Sequence, residues 1–297
     1  MSVSSVTPRT APIRVRLKDS WLMLTRNRKV LIGLIIVLFF TLVAIFGPMF
    51  VHTDPGAPGP DQLQPPSATH WMGTTQLGQD IMLQVIIGTR LSMIMGFVIG
   101  AATMVISVVV GLVSGYFGGW IDEILSLITN VFLVLPTLPL AILLAAFIAY
   151  KGPLTIAIVL TVTGWSWGAR VMRSQTLLMR NIDSVDAARS SGESSFRIIF
   201  YEIFPNEIAI VASQFLGTII YAILAETGLE FLGLGDINSV SWGTILYWAS
   251  NDDALALGSW WWFLVPGLCI AILGAGLALI NFGIDEIANP RLRTEKK

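Results

Sequence analysis

The run Asn181-Ile-Asp-Ser-Val-Asp186-Ala187-Ala188-Arg-Ser-Ser-Gly192-Glu-Ser-Ser-Phe196-Arg-Ile-Ile199-Phe200-Tyr-Glu-Ile203-Phe204-Pro205-Asn206 decides how the rest of the chain is read. Asp183 is placed to cap a helix, and Asp186 adds negative charge to its first turn, where the helix dipole favours it. Gly192 suits the end of that short helix. Phe196, Ile199, Phe200 and Ile203 then recur at i, i+3, i+4 and i+7, one apolar face of a second helix. Pro205 marks a boundary. The pattern predicts two short helices at a sharp turn, with small residues and a glycine exposed at the tip.

Outward from this polar island the chain is strongly apolar. Of its 297 residues, 54% are hydrophobic and 12% charged, and mean hydropathy is +0.74. A soluble domain carries about a quarter charged residues, so the composition indicates a membrane protein. The net charge of −1 points to no nucleic-acid partner. Cys269 is the single cysteine and has no disulfide partner within the chain; His52 and His70 are the only histidines, and nothing has zinc-site spacing. The first apolar run is too long for the core of a cleavable signal and ends in Gly47-Pro48, so a spanning segment is expected there.

A hydrocarbon core of roughly 30 Å needs about 20 helical residues. Six runs fit: 30–51, 91–117, 124–149, 153–169, 207–225 and 260–282, giving an all-α polytopic protein with six transmembrane helices. The third contains Pro136 and Pro139, which invite a kink. Arg9, Arg14, Arg16, Lys18, Arg26, Arg28 and Lys29 lie in the N-terminal segment 1–29. Arg170, Arg173, Arg180, Arg189 and Arg197 lie in the loop 170–206, and Arg291, Arg293, Lys296 and Lys297 in the tail 283–297. Only Arg90 and Lys151 fall on the other side. The positive-inside rule therefore puts both termini in the cytoplasm. Segments 52–90 and 226–259 are extracytoplasmic; the first is rich in Pro and Gly between Asp54 and Pro66, and the second ends at Trp260, Trp261 and Trp262, placed as interfacial anchors.

No run has an ionisable residue in its middle, with Glu207 at a boundary, so a proton-coupled carrier, a voltage sensor and an intramembrane acid-base enzyme are disfavoured. No GxxxxGK[ST] loop for a nucleotide is present. If the chain moves anything uphill, a partner supplies the work. Gly96 with Gly100 and Gly111 with Gly115 have GxxxG spacing, suited either to packing within the chain or to a subunit contact.

Asp186-Ala187-Ala188, three residues, Gly192, then Ile203-Phe204-Pro205 resembles the EAA loop of ABC-importer permeases. The stretch His70-Trp-Met-Gly73-Thr-Thr-Gln-Leu77-Gly78-Gln79-Asp80 leading to Gly88-Thr-Arg90-Leu-Ser92 is similar to one in the dipeptide, oligopeptide and nickel permease family. So are Glu226-Thr-Gly-Leu229-Glu-Phe231-Leu232-Gly233-Leu234-Gly235, Trp242-Gly243, Pro266-Gly267 and the ending Asn289-Pro290-Arg291-Leu292-Arg293. The layout resembles the second, six-span permease of that family. The resemblance implies a type I ABC importer fold, and residues Asp186, Ala187, Ala188, Gly192, Ile203, Phe204 and Pro205 coupling to an ATPase. It further implies a second permease, two ATP-binding subunits holding ATP and Mg, a solute-binding protein outside, and no catalytic residue, cofactor or metal in this chain. Asp186 replaces the family's glutamate, Phe204 its leucine, Thr75 an aspartate and Gln79 an arginine; Ser126 and Asn130 stand where many members have a charged pair. Peptides are the first expectation for cargo, with oligosaccharides or nickel as alternatives; an autonomous channel or ion-coupled carrier is the alternative of another class.

Overall fold

The computed structural model describes residues 27–288, with side chains through 284. The basic residues of 1–26 and the Asn289 to Arg293 ending lie outside the described residues. The described chain is helical, with one isolated bridge between Thr74 and Asp80. Its helices are α1 (Arg28–Phe50), α2 (Ile81–Phe117), α3 (Gly119–Val134), α4 (Thr137–Phe147), α5 (Pro153–Gly164), α6 (Ser166–Met179), α7 (Asp183–Ser190), α8 (Ser195–Arg197), α9 (Phe204–Phe231), α10 (Trp242–Asn251) and α11 (Trp261–Ala288). A π-helical turn, Ile198–Ile203, joins α8 to α9.

Four of these helices are long and apolar enough to cross a bilayer by themselves, and up to six spans result if two bent pairs each count as one. Large apolar side chains stand exposed along them, such as Leu38 and Phe39 on α1 and Val105 and Val109 on α2, a surface that water would not tolerate. The run 124–149 is not one gently kinked span: α3 and α4 meet at 88°. Pro136 sits at the bend with extended backbone, since it can neither donate to the preceding turn nor clear its carbonyl. Pro139 lies in the first turn of α4, where a missing N–H costs nothing. The 153–169 run is likewise broken, by 41° between α5 and α6 at Trp165, whose carbonyl accepts the Ser107 hydroxyl at 2.8 Å.

Helix α2 is the spine. It begins at Ile81, ten residues before the 91–117 run, because Asp80 caps it with one carboxylate oxygen on the Met82 and Leu83 amides. Its glycines settle the two readings of GxxxG spacing in favour of packing within the chain. A Cβ on Gly96 or Gly100 would meet Ile223 or Ile219 of α9; one on Gly111 or Gly115 would meet Met172 or Thr176 of α6. Gly33 of α1 packs in the same way on the Gly276 carbonyl of α11.

The fifth run also changes. Helix α9 extends from Phe204 to Phe231, so it contains Glu207, Glu226 and Glu230, all essentially fully buried. The middle of α9 stays free of ionisable groups, but Glu207 near one end and Glu226 and Glu230 near the other lie inside the helix. Two of these carboxylates are positioned by side chains from other elements: Thr176 donates to Glu207 at 3.1 Å, and Ser241 donates to Glu230; Glu226 accepts from the adjacent Thr227 at 3.4 Å. Among the described residues none of the three is in an ion pair.

Gly111→Leu should push α6 away from α2, because its Cβ would collide with that of Met172. Overpacking of this kind costs about 1–3 kcal/mol or more. A lower melting temperature in detergent, read by size-exclusion after heating, is the expected outcome. Gly274→Leu, with nothing within 4 Å, should leave it unchanged.

Candidate functional site

The polar island folds as a lever at one end of the bundle. Helix α7 starts at Asp183, with Ile182 rather than Asp183 in the capping position. Ile182 packs into the apolar cluster beneath, and this anchoring starts the helix early enough to leave both Asp183 and Asp186 in its first turn. The end of α7 closes as the sequence predicts. Gly192 has φ +78°, its N–H donates to the Arg189 carbonyl at 3.0 Å, and the next N–H, of Glu193, donates to the Ala188 carbonyl at 3.1 Å. This is the Schellman arrangement, which favours glycine at that position.

The second helix differs from expectation. Ile198, Ile199 and Ile203 are buried, whereas Phe196 and Phe200 are 68% and 44% exposed. The π turn widens the helix and rotates the apolar face, so the regular i, i+3, i+4, i+7 reading fails. It directly precedes Pro205, whose ring would crowd a regular α-turn; the helix continues through Pro205 instead of ending there. The rings of Phe196 and Phe200 lie 4.5 Å apart, and Phe204 continues the row.

The expected coupling residues thus divide into two groups. Ile203 is fully buried, and Ala188 and Phe204 are partly so, packed with Val185, Ile198 and Ile199 against Leu112 and Tyr116 at the end of α2. Asp186, Ala187, Gly192 and Pro205 face outward. Asp186 pairs with Arg189 at 3.3 Å, and the Arg189 guanidinium lies over the Tyr116 ring. Between the two arms a shallow cleft of about 310 Å³ is lined by Ala187, Ala188, Ser191, Glu193, Arg197 and Glu202. The hairpin thus has an apolar root packed on the end of α2 and an exposed tip of small residues.

Two further features lie outside the lever. Arg173 of α6 donates through Nε and Nη2 to the two carboxylate oxygens of Asp122 on α3, at 2.6 and 2.7 Å. Sequence spacing could not pair residues 51 positions apart. At the opposite end of α2, two stretches distant in sequence meet. Gly88 lets the Ser241–Trp242 backbone approach closely, and Ser92 accepts the Trp242 N–H at 3.1 Å. Thr75 and Gln79 bond to each other, and Gln79 also holds the Gly56 carbonyl. His70 bridges Asp80, at 2.8 Å, and Asp61, at 3.4 Å, so the three residues form a clasp over the start of α2. Among the described residues no group of three His, Cys, Asp or Glu could hold a metal.

These features define a class: an all-helical, polytopic membrane subunit that offers a small-tipped lever at one end. Residues 107–294 match the family described as the inner membrane component of binding-protein-dependent transport systems, and the chain belongs to that family. Residues 16–66 also match the N-terminal transmembrane domain of oligopeptide transport permease C. The dipeptide transport system permease protein DppC of Bacillus subtilis is 35% identical over 280 residues, covering 93% of this chain and 86% of the relative. The oligopeptide permease protein OppC of the same organism is 34% identical, covering 93% and 90%. An inward-facing structure of the MetNI methionine ABC transporter shares the fold, with TM-score 0.56 and 21% identity over 70% of this chain and 96% of that one.

The hydrogen bond to Asp80, aided by the one to Asp61, raises the His70 pKa above its ordinary 6.5. The clasp therefore contributes stability that is fully present below about pH 6.5 and is lost as pH climbs through the raised value. Amide exchange in residues 61–80 should accelerate between pH 6.5 and 8.5 beyond the intrinsic rate. In His70→Gln that additional acceleration should vanish.

Proposed function

We propose that this chain is the six-span permease of an ABC importer for di- or oligopeptides. It would work with a second permease, two ATP-binding subunits carrying ATP and Mg, and an extracytoplasmic solute-binding protein. The lever carries the reading: Asp186, Ala187 and Gly192 form the outer tip, while Ala188, Ile203 and Phe204 root it on α2 and Pro205 opens α9. Closure of the ATPases on the tip would press Ile203 and Phe204 against Leu112 and Tyr116, tilting α2 together with the α6 and α9 helices locked to its glycines. A cavity between the two permeases would thereby switch sides. The chain itself holds no catalytic residue in this scheme; hydrolysis belongs to the partners.

Both termini lie in the cytoplasm in this reading, supported by the lysines and arginines of the chain. The outer clasp and α10 then stand outside, where the solute-binding protein delivers cargo. The names of the two Bacillus subtilis relatives support peptides as the cargo.

The experiment is uptake by the full complex in proteoliposomes, with labelled dipeptide, oligopeptide and oligosaccharide compared. ATP-dependent uptake of a peptide is the expected result, and uptake of only the sugar would overturn the cargo assignment. Ala187→Trp enlarges the exposed tip without touching the root. It should reduce uptake at least tenfold while ATP hydrolysis continues. Uptake at the unaltered rate would remove the lever from the mechanism.

A further inference from the structure

A pocket of about 190 Å³ opens between α2, α3 and α6, near the end of the bundle that carries the lever. Ser114, Ser126, Thr129, Asn130, Arg170 and Arg173 line it. Its charges do not cancel. Asp122 at its edge is occupied by the two-point bond from Arg173 and by the hydroxyls of Ser114 and Ser126. Arg170 makes one hydrogen bond, from Nη2 to the Asn130 Oδ1 at 3.1 Å. That bond orients the guanidinium plane and leaves its remaining donors without a protein acceptor among the described residues. A planar fork of free N–H groups is a site for a tetrahedral or planar oxyanion.

The surroundings indicate where the anion comes from. Trp120 at the start of α3 and Trp167 one turn before Arg170 are 70% and 67% exposed, as interfacial tryptophans are. Beyond them Leu127 and Val131 of α3 present exposed apolar side chains. A headgroup phosphate could enter the pocket while its acyl chains lie along α3. Basic pockets between membrane helices on the cytoplasmic side take such headgroups; the lever end is cytoplasmic in the topology proposed above, although the pocket's chemistry does not depend on that topology.

We propose that Arg170, with the Asn130 amide, binds the phosphate of an anionic phospholipid. The lipid bridges α3 and α6 beside the Asp122–Arg173 pair and holds the bent α3–α4 segment to the α2–α6 core. A zwitterionic choline lipid fits poorly, because its quaternary ammonium would sit near two guanidinium groups.

The test uses the full-length protein in a neutral detergent, titrated separately with phosphatidylglycerol, phosphatidylcholine and inorganic phosphate, with the melting temperature read at each step. Phosphatidylglycerol should raise it by roughly 2–4 °C, and phosphatidylcholine should not. Arg170→Gln should abolish the rise and Arg170→Lys should retain part of it. Lys29→Gln, a basic side chain on α1 outside the pocket, should leave it intact. A rise with inorganic phosphate equal to that with phosphatidylglycerol, and lost in Arg170→Gln, would keep the anion site but overturn its assignment to lipid. A full rise in Arg170→Gln, or none with either anion in the unaltered chain, would overturn the site itself. Failure of peptide uptake would not bear on these readings, since the measurement involves neither cargo nor ATP.

Discussion

Everything in this molecule depends on how closely α2 can approach its neighbours. In lipid, apolar side chains gain little by leaving their surroundings, so helices associate through tight contact and the few polar bonds between them. The glycines at 96, 100, 111 and 115 remove the side chains that would hold α6 and α9 away. A single 37-residue helix is thus locked to α9 around Gly96 and Gly100 and to α6 around Gly111 and Gly115, near its lever end. Its first turn is capped by Asp80 beneath the His70 clasp, and its last turns carry the lever's root.

The polar groups serve the same architecture. Two buried carboxylates on α9, Glu207 and Glu230, take hydroxyl bonds from α6 and from the cap of α10, and the Asp122–Arg173 pair ties α3 to α6. Each bond joins helices whose apolar faces specify orientation poorly. Removing one partner would leave a buried polar group without a mate, which is costlier than never having placed it. Hydrogen-bond direction therefore supplies the specificity that apolar packing in a bilayer lacks.

Much of this was legible before any coordinates. The helical fold and the short lever helix ending at Gly192 follow from apolar run length and from the one backbone conformation glycine takes freely. The apolar face of the second lever helix was misread. Periodicity assumes 3.6 residues per turn, and the π turn before Pro205 breaks that assumption, leaving Phe196 and Phe200 exposed. The severity of the bend at Pro136 was similarly out of reach, since a proline marks a weak point without stating an angle.

The sequence by itself determined that the chain is a membrane-embedded helical protein with a polar, small-tipped hairpin, because hydropathy and backbone preference are local properties. Only the tertiary structure decided which glycines face which helices, that Arg173 finds Asp122, that Ser241 reaches Glu230, and that Arg170 keeps donors to spare. Those outcomes depend on residues tens to hundreds of positions apart meeting at hydrogen-bond or van der Waals distance. No local pattern encodes such a meeting.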